Sequence, residues 1–317
     1  MLVMKIILYF FIALVHGTIG YGQESDEYLK KGKAKARIQD LLVALSDFNK
    51  SIEISSNNAN AYYNRGSIKD DLMNYPEAIA DYNKAIEFNP KFKDAYINRG
   101  IAKLNLQNYR GAINDFSIAI KINSREWLSY YNRGIAKANL KSYTEAIKDY
   151  NKAIEINPES DKAFYNRGHA KNNLQDYCGA IEDYSIAINI NPGDEEVYFN
   201  RAVAKFNSQN YRGALADFDE AAKLDSNDAE AFFNRGMVKV NLKDFAGGFS
   251  DYNKALEINP NCRDALFYRG ILKITILEQK TDGCLDLEKA GELGLTKAYE
   301  IIKNYCGACR VFIKQFL

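Results

Sequence analysis

Asn64-Arg65-Gly66 returns as Asn98-Arg99-Gly100, Asn132-Arg133-Gly134 and Asn166-Arg167-Gly168, each step being 34 residues. The series continues as Asn200-Arg201-Ala202, Asn234-Arg235-Gly236 and Tyr268-Arg269-Gly270. Gly32 and Tyr28 stand 34 residues before Gly66 and Tyr62, so a less regular unit leads the series. A fixed period of this length marks a repeat array, in which each copy buries its apolar face against the next.

Inside one unit, residues 60–72 and 76–88 predict two helices. Tyr62, Ala78, Tyr82 and Ala85 carry the apolar spacing. Pro76 follows Asn74-Tyr75, where a helix start leaves its missing N–H without cost. Asn89-Pro90 closes the second helix, because proline disfavours a helical residue before it.

Gly66, Ala78, Tyr82, Ala85 and Pro90 recur as Gly134, Ala146, Tyr150, Ala153 and Pro158. They recur again as Gly168, Ala180, Tyr184, Ala187 and Pro192. On these positions the chain resembles the tetratricopeptide-repeat (TPR) family, in an exported, bacterial-type form, over roughly residues 26–297. The resemblance implies an all-α, right-handed solenoid of about eight helix-turn-helix units with a C-terminal capping helix. The expected boundaries are a degenerate first unit at 26–59, six regular units at 60–263, a modified last unit at 264–297, and a cap and tail at 298–317. Close packing of the two helices is expected at Gly66 and Ala78, with Tyr82 filling the space between units.

Arg65 and Lys69 stand where the family usually carries Leu and Tyr, and the pair repeats through Arg269 and Lys273. Cations four residues apart share one helix face. That face meets the second helix, where Asp81, Asp115, Asp149, Asp183, Asp217 and Asp251 repeat in step. The expected result is an internal ladder of ion pairs, with an anion-binding stripe as the alternative. The ladder also accounts for the charge balance of 42 Lys plus Arg against 41 Asp plus Glu.

The resemblance implies that first helices line a concave groove that binds the ligand. Two columns on those helices are candidates for the partner-binding groove. One is Asn64, Asn98, Asn132, Asn166, Asn200 and Asn234; a further one follows at Asn105, Asn139, Asn173, Asn207 and Asn241. An amide offers donors and an acceptor, so it suits an extended peptide backbone. The first column is similar to the asparagine ladder in the TPR superhelix of O-linked N-acetylglucosamine transferases, although no transferase domain accompanies it here. Asn equally serves to cap or bridge neighbouring helices. The other candidate column is Tyr63, Tyr131, Tyr165, Phe199, Phe233 and Phe267, with Ile101, Ile135, Val203 and Met237 a turn later. Aromatic anchors beside amides suit recognition of a protein segment; packing between adjacent first helices is the competing role. The family's carboxylate clamp needs cations where this chain has Tyr and Asn.

Residues 1–22 carry Lys5, an apolar run from Ile6 to Val15, and a small-residue exit through Gly20 and Gly22. These are the parts of a secretory signal peptide. Ten residues rise about 15 Å as a helix, short of a hydrocarbon core of roughly 30 Å. A retained anchor is the alternative. Removal of the segment leaves 42 − 1 = 41 basic and 41 acidic residues. The expected location is exported, periplasmic or secreted, with no integral span after signal removal. There an oxidising compartment permits disulfides. Cys284 precedes the turn at Gly294-Leu295 by about ten residues and Cys306 follows it by about twelve. Helices at 283–291 and 296–305 would bring these ends together, and a Cys284–Cys306 disulfide is expected, with Cys309 as the competing partner.

Balanced charge argues against nucleic acid as a partner, since phosphate neutralisation needs a basic excess. Two histidines and no nucleophile–base set argue against an enzyme, a cofactor or a metal centre. Cys306 and Cys309 alone cannot close a zinc site. The expectation is a non-enzymatic scaffold that binds an extended segment of a partner protein, with no cofactor. The alternative is a structural envelope-assembly component that acts through its convex face or ends.

Overall fold

The computed structural model describes residues 24–33 and 40–306. The expected signal peptide, Cys309 and the tail at 310–317 lie outside the described residues. Among the described residues every regular element is a helix. The chain forms two compact units, Met1–Pro158 and Glu159–Leu317.

The first unit holds α1 (24–33), α2 (Leu41–Ile54), α3 (Ala59–Asp71), α4 (Tyr75–Phe88), α5 (Lys93–Asn105), α6 (Tyr109–Ile122), α7 (Trp127–Asn139) and α8 (Tyr143–Ile156). The second holds α9 (Asp161–Asn173), α10 (Tyr177–Ile190), α11 (Glu195–Asn207), α12 (Tyr211–Leu224), α13 (Ala229–Asn241), α14 (Phe245–Ile258), α15 (Arg263–Thr275), α16 (Lys280–Glu292) and α17 (Lys297–Tyr305). Within each unit, helices pack as successive pairs, and each pair stacks on the next. This is the all-α repeat stack that the 34-residue period predicts.

The turn between the helices of a pair has one recurring shape. Met73, Gln107, Lys141, Gln175, Gln209 and Lys243 all take left-handed φ values, from 58° to 67°. Asn74 N–H then reaches back to the Lys69 carbonyl, and Asn108 N–H to that of Lys103, both at 2.8 Å. These bonds satisfy carbonyls that a helix end leaves open. Second helices start in two ways. In α6, Asn108 caps the helix by accepting from Gly111 N–H, and Asp176 does the same for Gly179 in α10. In α4, Asn74 makes no side-chain cap, and Pro76 occupies the first turn instead.

Each pair closes around one ring. Phe48, Tyr82, Phe116, Tyr150, Tyr184, Phe218 and Tyr252 are all buried. A Cβ on Gly134 would lie 2.5 Å from Cε1 of Tyr150, and one on Gly66 would lie 2.9 Å from Cε1 of Tyr82. The glycine therefore makes room for the ring of its own pair. This refines the sequence reading, which gave that space to helix-on-helix approach alone. Tyr82 also packs with Ala102 of the following pair.

The end of the second unit is closed differently. Cys284 and Cys306 are joined by a disulfide that ties the end of α17 to α16. Leu287, Ala290, Ala298 and Ile302 pack around it in one buried cluster. In the chain-entropy account, a loop of this length contributes about 3 kcal/mol. Among the described residues, no helix is long and apolar enough to cross a membrane.

Candidate partner-binding face

The repeated cations are engaged inside the fold. Arg65 places Nε 2.9 Å from Asp81 Oδ2 and pairs its Nη2 with Oδ1, while Lys69 Nζ lies 2.7 Å from the same carboxylate. The triad recurs as Arg99–Lys103–Asp115, Arg133–Lys137–Asp149, Arg167–Lys171–Asp183, Arg201–Lys205–Asp217 and Arg235–Lys239–Asp251. In the last pair the acid is Asp286, one residue late, and it takes Arg269 and Lys273. Two further contacts complete most of these arginines. Nη1 donates to the preceding second helix: Arg99 to Asn83, Arg133 to Ser117, Arg201 to Ser185 and Arg235 to Asp219. The guanidinium also lies over the ring three residues earlier, as Arg99 does over Tyr96 at 5.3 Å and Arg235 over Phe232 at 4.9 Å. Arginine supplies this fork and stacking plane together, which lysine cannot. An arginine so engaged joins consecutive pairs and leaves little for a ligand, so the anion-stripe alternative loses its donors.

The candidate face carries other residues of the same helices. Asn64 Nδ2 donates to Asn60 O, Asn166 Nδ2 to Lys162 O at 3.0 Å and Asn234 Nδ2 to Glu230 O at 2.9 Å. Asn98 Nδ2 donates to Tyr63 Oη at 3.1 Å, and Asn200 Nδ2 to Tyr165 Oη at 3.2 Å. Asn132 is only 8% exposed. The amide hydrogens are thus committed to the protein, and the side-chain oxygen is the atom such an amide offers a partner N–H. The further column at Asn105, Asn139, Asn173, Asn207 and Asn241 is exposed.

Tyr63, Tyr131, Tyr165, Phe199 and Phe233 are half-buried. Tyr63 packs against Tyr82 and Phe92, Tyr131 against Trp127 and Tyr150, and Phe199 against Phe218. Their inner edges serve the core, and their outer edges stay open. Phe267 does not share this state. It is 6% exposed, and Lys297 of α17 lies 4.4 Å above its ring. The cap covers it, which corrects its place in the apolar column.

Two depressions open on one side of α13 in the second unit. Glu230, Phe233, Asn234 and Met237 follow the i, i+3, i+4, i+7 spacing of one helix face. A cleft of about 530 Å³ touches Asp228, Glu230, Phe233, Arg263 and Asp264. One of about 160 Å³ touches Val203, Phe206, Phe218, Asn234 and Met237. Sequence reasoning named Phe233, Asn234, Val203 and Met237 but not Phe206, whose column changes residue type in every repeat.

Electrostatics differ along the chain. Asp70 in the first unit is pushed up to about 6 by burial and by Asp71. Glu195 in the second is pushed up to about 7 by burial and by Asp228, Asp225, Glu196 and Asp194. Its folded-state value lies above that of a free carboxylate, so its ionisation costs stability. The cost is absent below pH 4.5 and grows as pH rises to about 7. Glu195→Gln is expected to melt above the wild type at pH 8 and level with it at pH 4.5, read by circular dichroism. A gain of equal size at both pH values would contradict this.

Cys178 is exposed and Cys262 half-buried, and both are free thiols. Among the described residues, no group of His, Cys, Asp and Glu could hold a metal ion.

Family models described as tetratricopeptide repeat match residues 59–92 and 127–160, and residues 199–262. No curated protein matches the chain. Among solved structures, the chain is similar to a tetratricopeptide repeat protein from Parabacteroides merdae. That match has 21% identity and a TM-score of 0.58, and covers 83% of this chain and 99% of the other. It is similar to pilF of Pseudomonas aeruginosa at 19% identity and a TM-score of 0.59, over 67% of this chain and 97% of that one. YrrB, described as a TPR protein with an unusual peptide-binding site, matches at 24% identity and a TM-score of 0.54. That match covers 59% of this chain and 97% of YrrB. At these identities the likeness is one of fold.

Proposed function

Because the chain belongs to the tetratricopeptide-repeat family, whose members serve as protein-interaction scaffolds, we propose that it holds an extended segment of a partner protein on its first-helix face. The observation that carries this is the α13 face, where an open aromatic edge, an amide and two clefts lie in line. Half-exposed aromatics beside polar groups are the composition of interface centres. The peptide-binding site named for YrrB lends support from a protein of the same fold. The role needs no catalysis. The disulfide fits an oxidising compartment, which supports an exported scaffold.

The test compares capture of partners from an envelope extract by the immobilised wild type and by Ala variants. One variant replaces Asn64, Asn98 and Asn132; another replaces Asn166, Asn200 and Asn234. The expected outcome is at least a fivefold loss of captured partner in one of them, with helicity at 222 nm unchanged. Capture that survives both variants, but is lost when exposed residues of the second helices are changed, would favour an assembly component that works through its outer helices.

A further inference from the structure

The second unit presents a face with two chemically different ends. At one end, Val203, Phe206 and Met237 line the smaller cleft, with Phe218 at its base. At the other end, Asp228, Glu230 and Asp264 border the larger cleft. Arg263 is its one cation, and it lies 3.6 Å from Asp264. The acids continue onto α11, where Asp194 caps the helix and Glu195 and Glu196 occupy the first turn. Six carboxylates therefore face one arginine along this edge. At the apolar end, Lys205 and Lys239 are drawn inward by Asp217 and Asp251. They neither offset the acids nor offer a site to a partner's acid.

The high value of Glu195 follows from the same crowding of carboxylates. A partner cation there would relieve mutual repulsion as well as gain its own attraction. Acids around a partly desolvated cleft focus the field at its mouth. An acidic partner segment would meet the reverse, since like charges brought together cost free energy.

We propose that this face of the second unit selects a partner segment in which an apolar anchor fills the Val203–Phe206–Met237 cleft while a lysine or arginine sits against Asp228, Glu230 and Asp264. The proposal rests on the scaffold reading above and adds the partner's chemistry. Spacing follows from the helix. Glu230 and Met237 are seven residues apart, about 10 Å along α13. An extended segment rises about 3.3 Å per residue, so its cation and its anchor stand about three residues apart.

The probes are three fluorescein-labelled extended peptides. One carries Lys three residues from Phe, one carries Glu in place of that Lys, and one carries Ser in place of that Phe. Anisotropy titrations use the full mature chain. The Lys–Phe peptide is expected to bind at least tenfold tighter than the other two. Its advantage over the Glu–Phe peptide should shrink to within threefold in the variant D228N/E230Q/D264N. Asn still caps α13 in that variant, so the helix start is kept. Phe206→Ala with Met237→Ala should weaken Lys–Phe binding while the same salt dependence remains.

Equal binding of the Lys–Phe and Glu–Phe peptides, or an advantage that survives the triple variant, would overturn the proposal. If no peptide binds the wild type while the asparagine variants still lose their captured partner, this inference fails and the scaffold reading stands. If the asparagine variants also keep their partner, both fail.

Discussion

Asp115→Ala is expected to lower unfolding free energy by about 3–5 kcal/mol, the cost of leaving buried charge without its partner. Asp115 is 0% exposed, and it holds Arg99 and Lys103 at once. Without it, two half-buried cations face each other on one helix. Arg99 keeps Asn83 and the Tyr96 ring, neither of which carries a full negative charge. Urea unfolding followed at 222 nm reads the loss. Salt at 1 M should restore little, because buried pairs are poorly screened. Full rescue by salt would place the triad among surface ion pairs, which contribute at most about 1 kcal/mol. Replacing Arg99, Lys103 and Asp115 together by Met, Met and Leu should cost far less than the single change. The triad's net stabilisation is small even though breaking it is expensive.

Tyr150→Ala should cost a similar amount, about 3–5 kcal/mol, through the cavity left in a well-packed seat. Tyr150 is 1% exposed and fills the space above Gly134. Tyr150→Phe should change little, since Phe116 and Phe218 occupy the matching seats of other pairs. Gly134→Ala alone should cost about 1–3 kcal/mol by overpacking, because its methyl would meet the ring. The two changes should not add. With the ring gone, the new methyl falls into vacated space, so the double variant should be more stable than the sum of the singles. Strict additivity in urea unfolding would break the link between glycine and ring.

The period made the fold legible. Where Asn-Arg-Gly and the aspartates recur every 34 residues, sequence alone implies two helices per unit and a buried ion ladder. The acid of the last pair was harder to place. One added residue moves it to Asp286, where the bidentate contact with Arg269 identifies it. The third contact of each arginine was invisible. Its acceptor is Asn83, Ser117 or Asp219, three residue types that form no column in a sequence. The candidate face was half legible. Periodicity brings Asn234, Phe233 and Met237 onto one side of α13, but it cannot show that Asn234 spends its donor on Glu230 O. Nor could it show that Lys297, thirty residues on, covers Phe267.

The reach of the arginine contacts bears on how such a chain can change its length. Arg99 and Arg133 each bind an acid 16 residues ahead and an acceptor 16 residues behind. Excision of residues 93–126 would therefore bring Arg133 to Asn83, the acceptor that Arg99 uses now. No charge would be stranded, and the ring-over-glycine seats would still match. A cut of 33 or 35 residues would put every later arginine out of phase with its acceptor. At the level of the gene, this favours gain and loss of whole repeats over any other change in length.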